Sequence, residues 1–150
     1  IARAPKAISA GEMDKVAPAR PTALQFAAPL DAVSIMAASR PSNLNCCHFL
    51  MAFYARQAFF GSTPERLWRR RGALLRTDAL AGTVANHQED AKAQQLADGL
   101  MKDDKNQREN ILVVEGICQR RQSEASTLDV LPPEVVWLRK MQEIRRCIWT

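Results

Sequence analysis

Three groups of side chains in this 150-residue sequence have the types and spacing to do chemistry. Cys46-Cys47-His48 brings together two thiols and an imidazole, the material of a metal site or of a Cys–His nucleophile. Three consecutive residues do not all face one ion from regular structure, and His87 is the only other histidine. With no group nominated to orient the imidazole, both cysteines read as small buried hydrophobes. Asp103-Asp104 pairs two carboxylates, but at a helix start such residues act as caps facing the positive end of the dipole. Gly-rich phosphate loops, G-x-S-x-G and H-E-x-x-H do not occur. The expectation is therefore a protein without catalytic, cofactor-binding or metal-ligating residues, and not an enzyme.

The third group is basic. Arg66, Arg69, Arg70, Arg71 and Arg76 cluster beside Trp68, and on a helix Arg66, Arg69 and Arg70 share a face. Such a patch suits RNA phosphate, an anionic lipid head group or an acidic partner surface. Interleaved stacking aromatics are lacking, which disfavours nucleic acid. The net charge of +5 is uneven: residues 1–80 hold eleven Lys and Arg against five Asp and Glu, and residues 81–150 hold ten against eleven. A partner-docking role follows for the arginines.

Four cysteines without a C-x-x-C pair give no disulfide framework or structural zinc site, which points to a reducing compartment. The longest apolar run, residues 46–55, is about half of the roughly 20 residues that a spanning helix needs. No transmembrane span is expected.

These groups need elements to position them. Residues 1–41 carry Pro5, Pro18, Pro21, Pro29 and Pro41, which remove backbone donors and oppose helix, so an extended Ala/Pro/Arg-rich arm is expected there. The start at Ile1 and the acid-poor composition suggest a processed, organelle-imported protein. A helical domain is expected over 42–150. Ser42 or Asn43 would cap a helix ending near Gln57 or Phe60, with Gly61 as its stop. Thr63-Pro64-Glu65 would open a second helix running to about Leu80 across Gly72. Thr83 would start a third through Met101, with Val84, Ala91, Leu96 and Leu100 as its stripe. A fourth follows Asp103-Asp104, and Leu131-Pro132-Pro133-Glu134 opens a last one bearing Val135, Leu138, Met141 or Gln142, Ile144 and Ile148. Only Ile111–Val114 hints at a strand. The fold class expected is all-α: four to five short-to-medium helices in a loose bundle, with a long irregular N-terminal arm.

Over about residues 96–146 the sequence resembles the small helical matrix-side subunit of ubiquinol–cytochrome c reductase, respiratory complex III, the ubiquinone-binding-protein-like family. The segments that carry the resemblance are Gly99-Leu100-Met101-Lys102-Asp103-Asp104, Glu109-Asn110 and Val114-Glu115-Gly116-Ile117, then Leu131-Pro132 followed by Trp137, Arg139, Met141, Ile144 and Arg145. Arg120-Arg121 departs from the pattern, lying ten places before Leu131 instead of directly ahead of Leu-Pro. The resemblance implies a non-catalytic accessory subunit supporting assembly and stability. Its place would be peripheral, on the matrix side of the mitochondrial inner membrane. Its partners would be cytochrome b and the core proteins, with Leu131, Trp137, Arg139, Met141 and Arg145 docking beside the arginine patch. The alternative expectation is a mitochondrial ribosomal or RNA-binding protein using Arg66–Arg76. A small enzyme built on Cys47 or His48 is the third.

Overall fold

The computed structural model describes residues 4–13, 16–17, 19–54 and 56–150. Ile1, Pro18 and Ala55, which enter the expectations above, lie outside the described residues. The chain forms two units, Ile1–Leu30 and Asp31–Thr150. The first contains one short helix, α1 (Ala4–Ser9), which ends before Gly11 at φ +70°. The rest of that unit that is described has no regular elements.

The second unit is not an all-α bundle. It mixes helices with two antiparallel sheets. Helix α2 (Ala32–Ser39) begins where Asp31 accepts from the Ser34 amide at 2.9 Å, so capping chemistry makes a helix within the stretch expected to be irregular. A two-stranded sheet follows, β1 (Cys47–Tyr54) with β2 (Gln57–Thr63), where a helix from Ser42 was expected. Aromatic side chains spaced by two decide this: Phe49 lies opposite Gly61, and its ring meets that of Phe59 at a centroid distance of 5.2 Å. A Cβ on Gly61 would stand 2.9 Å from the Phe49 ring, so this glycine makes room for a cross-strand aromatic instead of ending a helix.

The segment after Pro64 is also strand. Gly72, at φ +61°, turns the chain between β3 (Arg69–Arg71) and β4 (Leu74–Ala85). Thr83 therefore falls inside β4 and starts no helix. Helix α3 (Asp90–Lys102) begins later and buries Ala93, Ala97 and Leu100 at i, i+4, i+7. Helix α4 (Asp104–Arg121) starts where the paired aspartates place it, with the Asp103 carboxylate accepting from the Asn106 amide at 2.8 Å. Ile111–Val114 lies within this helix. The final segment forms β5 (Asp129–Val130), β6 (Glu134–Trp137) and β7 (Met141–Trp149) instead of a helix. Valine and isoleucine are stiff at χ1 and pack well on a pleated surface, and here they pair directly: Val135 lies opposite Ile144.

Strand β7 is the centre of the five-stranded sheet, with β4 on one side and β5 and β6 sharing the other. Alternation gives it two different faces. Gln142, Ile144 and Ile148 are completely buried on the face that meets the helices, and Arg146 shares that face. Glu143, Arg145 and Cys147 point the other way.

One residue joins α4 to this sheet. Asn110 is fully buried, and its amide donates to the carbonyls of Ala79 (3.2 Å), Ala81 (3.1 Å) and Ile144 (2.9 Å) while Arg146 donates to its oxygen. Register between β4 and β7 shifts between Leu80 and Thr83, a bulge that frees the Ala81 carbonyl for this bond. Gly82 sits in the bulge at φ +86°, and a Cβ there would lie 2.9 Å from the Asn106 carbonyl. No helix among the described residues is long and apolar enough to cross a membrane.

Asn110→Ala strips three strand carbonyls and a guanidinium of their shared partner. It is expected to destabilise the chain by about 3 kcal/mol or more, since stranded buried polar groups cost about 1–3 kcal/mol each. Urea denaturation with an unchanged m-value checks this. A loss below about 1 kcal/mol would mean that water replaces the amide.

Candidate functional site

A cavity of about 890 Å³ in the second unit lies on the face of β7 turned away from the helices. Its walls are the Pro41–Cys46 segment, the Ser62–Glu65 end of β2, Leu80 on β4, and the Trp137–Met141 hairpin with Glu143. A mouth of this size suits a small molecule.

The hairpin wall is pinned by asparagine side chains. Asn45 donates to the Trp137 carbonyl at 2.7 Å and Asn86 to the Leu138 carbonyl at 2.7 Å. The Asn86 amide donates to the Lys140 carbonyl at 3.0 Å. Loop residues held this way present Arg139 and Lys140 at the cavity rim as two cations.

Opposite in sign are Glu65 and Glu143. Glu65 is exposed, just past the end of β2. Glu143 is half-buried, and one of its oxygens accepts from the Thr83 hydroxyl at 3.3 Å. Its other oxygen, Oε2, is buried without a hydrogen-bond partner among the described residues. Burial pushes the Glu143 carboxyl above its ordinary value; the Thr83 bond opposes this, and the charge of Glu65 adds to it. Two carboxylates in unlike environments beside two cations have the chemistry to answer an anionic ligand and to exchange protons with it.

The sequence-derived residues fall in several places. Trp137, Arg139 and Met141 line the main cavity, while Leu131 is exposed and pairs through its amide with the Cys147 carbonyl. Arg69, Arg70 and Arg71 lie exposed along β3, so the shared helix face with Arg66 does not exist. Arg66 and Arg145 meet instead at a smaller cavity, and Arg76 stacks over Trp149 at 5.8 Å and holds Asp78. Cys47 is exposed and Cys46 half-buried, so the pair is not the buried apolar couple expected. The thiol of Cys46 is nonetheless raised by burial, then by Cys47 and Glu143. His48 bonds the Ser62 hydroxyl at 2.8 Å. Among the described residues no group of three or more His, Cys, Asp or Glu side chains converges to hold a metal.

Sequence reasoning missed Glu65 and Glu143. Glu65 passed as a helix-entry carboxylate, because Thr-Pro-Glu is a strong capping pattern. Glu143 gave a signal only under a strand reading, where it alternates with Arg145 and Cys147 away from the helices.

Comparison with known proteins matches residues 1–148 to the family model described as chorismate binding enzyme. Isochorismate synthase MenF of Escherichia coli (strain K12) is 64% identical over 150 residues, covering the whole of this chain and 35% of the relative. Isochorismate synthase MenF of Pasteurella multocida is 43% identical over 141 residues, 94% of this chain and 33% of the relative. The solved structure of the menaquinone-specific isochorismate synthase MenF from Escherichia coli superposes with a TM-score of 0.81 at 66% identity, over 83% of this chain and 29% of that one. The chain thus spans about a third of the length of the curated relatives it matches.

These matches overturn the complex III resemblance and what it implied. The relatives are biosynthetic enzymes, not accessory subunits held by cytochrome b and core proteins, and not ribosomal or RNA-binding proteins. The non-enzyme expectation falls with them. So does the mitochondrial inner-membrane location, since these relatives are bacterial.

Glu143→Gln tests the electrostatics of the cavity. A carboxyl whose folded pKa is raised stabilises the fold below its unfolded pKa, and that contribution is lost as pH rises through the folded value. The variant should therefore melt higher than the parent at pH 7–8, with the gap closing below about pH 4. Melting curves across pH read this out, and a gap that widens in acid would reverse the assignment.

Proposed function

The chain belongs to the chorismate-binding enzymes, and from that premise we propose that it is part of an isochorismate synthase, contributing the cavity that binds chorismate. The observation that carries this reading is that Arg139, Lys140, Glu65 and Glu143 line one cavity. Chorismate is a small ring dicarboxylate bearing a hydroxyl. Cations at the rim answer its carboxylates, and Trp137, Met141 and Leu80 offer apolar surface to the ring.

Glu65 and Glu143 are suited to the proton transfers that leaving and entering oxygen require. Glu143, raised by burial, keeps a proton to higher pH than an ordinary carboxyl. The basic rim and the Trp137–Met141 hairpin, expected from sequence to dock a protein, serve a small anion in this reading. The bacterial relatives make a cytoplasmic biosynthetic setting the natural one, and the menaquinone-specific function of the Escherichia coli enzyme suggests the product's use.

Titrating chorismate into the full chain should change Trp137 fluorescence saturably, with Trp137→Phe abolishing the signal. Conversion to isochorismate, followed by chromatography, should fall about 100-fold or more in Glu65→Gln and in Glu143→Gln, the usual yield of a general acid or base. Absence of saturable chorismate binding, or full turnover in both variants, would defeat the proposal.

A further inference from the structure

We propose that a second, smaller cavity is a seat for a small oxyanion, of the phosphate or carboxylate class, held between Arg66 and Arg145. This goes beyond the chorismate reading and does not rest on it. The cavity measures about 350 Å³ and is lined by Asn45, Cys47, Asp78 and Trp137 together with the two arginines.

The arginines differ in which of their donors are already used. Asp78 has a side chain only 2% exposed, and Arg76 takes it: Nε donates to Oδ1 at 3.0 Å and Nη2 to Oδ2 at 3.5 Å. Arg66 stands farther off, with Nη1 3.9 Å from Oδ2, and its guanidinium donates no hydrogen bond among the described residues. Arg145 gives its Nε to Glu134 at 2.9 Å, which leaves its two terminal nitrogens without an acceptor among the described residues. Among the described residues, three guanidinium groups thus face two carboxylates, Asp78 and Glu134, with one positive charge in excess.

Neither arginine is free in solvent. The side chain of Arg66 is 26% exposed and that of Arg145 28%. Planar, partly desolvated donors with unused N–H groups are the usual recognition element for oxyanions, because each guanidinium meets two oxygens at once. Leu44, Asn45, Cys46, Pro64 and Trp137 line both cavities, so an anion here would sit one wall away from the larger site.

The test is a titration of inorganic phosphate into the full chain at constant ionic strength, with malonate in a parallel arm, followed through arginine Nε–H resonances. Saturable shifts at Arg66 and Arg145 are expected, and the tighter of the two probes identifies the ligand class. Arg66→Gln and Arg145→Gln should each weaken binding by roughly tenfold, the scale of one charge-assisted contact. Arg71→Gln, on the exposed β3 strand, should bind like the parent. Should Arg66→Gln fail to fold, Arg66→Lys keeps the charge beside Asp78 and loses the fork: weaker binding supports the seat, and parental binding overturns it. A linear, non-saturating drift, unchanged affinity in both glutamine variants, or an equal loss in Arg71→Gln would each overturn the proposal. Chorismate takes no part in these readings, so their failure is separable from failure of the assigned function.

Discussion

The second unit depends on a single buried amide. Asn110 reaches from α4 to carbonyls on both central strands of the larger sheet, and the guanidinium of Arg146 closes the set from β7. An ordinary strand would have spent the Ala79 and Ala81 carbonyls on its neighbour or left one facing apolar side chains. The bulge and the amide therefore require each other. Without the bulge, the carbonyls are not presented together; without Asn110, the bulge buries acceptors that nothing satisfies.

This constraint reaches the cavity through strand parity. Residues of β7 alternate between the helix face and the cavity face, so fixing Ile144 and Arg146 against α4 also fixes Glu143 and Arg145 on the opposite side. The bulge then restores register in time for Thr83 to lie opposite Glu143, where its hydroxyl meets the carboxylate. A slip by one residue would exchange the apolar and ionisable sets. The polar bond in the core is thus also what keeps the ionisable groups at the cavity.

Part of this was legible in the sequence, and the physical reason for the division is specific. The start of α4 could be read because Asp103 acts on amides only a few residues away. Strands β4 and β7 pair across more than 50 residues, and nothing local announces that pairing. The apparent helical stripe through Ile144 and Ile148 has an equally concrete origin. A separation of four is even, so two residues on one helix face also share one strand face, and both are indeed buried together. Val135 and Ile144, assigned to one stripe, are cross-strand partners. Thr63-Pro64-Glu65 carries the residues of a helix start, yet the chain continues into the extended β3–β4 hairpin. The family resemblance failed for a related reason. Gly99–Asp104 spans the break between α3 and α4, and Asp at such a break answers a capping requirement that any helix pair imposes.

The cavity is a place where the fold gives up stability. Glu143 holds one oxygen unpartnered and its carboxyl above the ordinary range, and Gln142 beside it leaves its own Oε1 without a partner among the described residues. Packing optimised for stability alone would favour apolar side chains at such positions, because unpaired buried acceptors are costly. Their cost is offset nearby: Gln142 donates to Asn86 and to the Ala93 carbonyl, and Asn86 in turn holds the Leu138–Lys140 loop. One strand therefore carries, at adjacent positions, the bonds that make the wall rigid and the carboxylate that gains from rigidity. A half-buried carboxyl held between fixed neighbours loses little orientation when a ligand arrives. That ties the polar network behind β7 to whatever chemistry occurs in front of it.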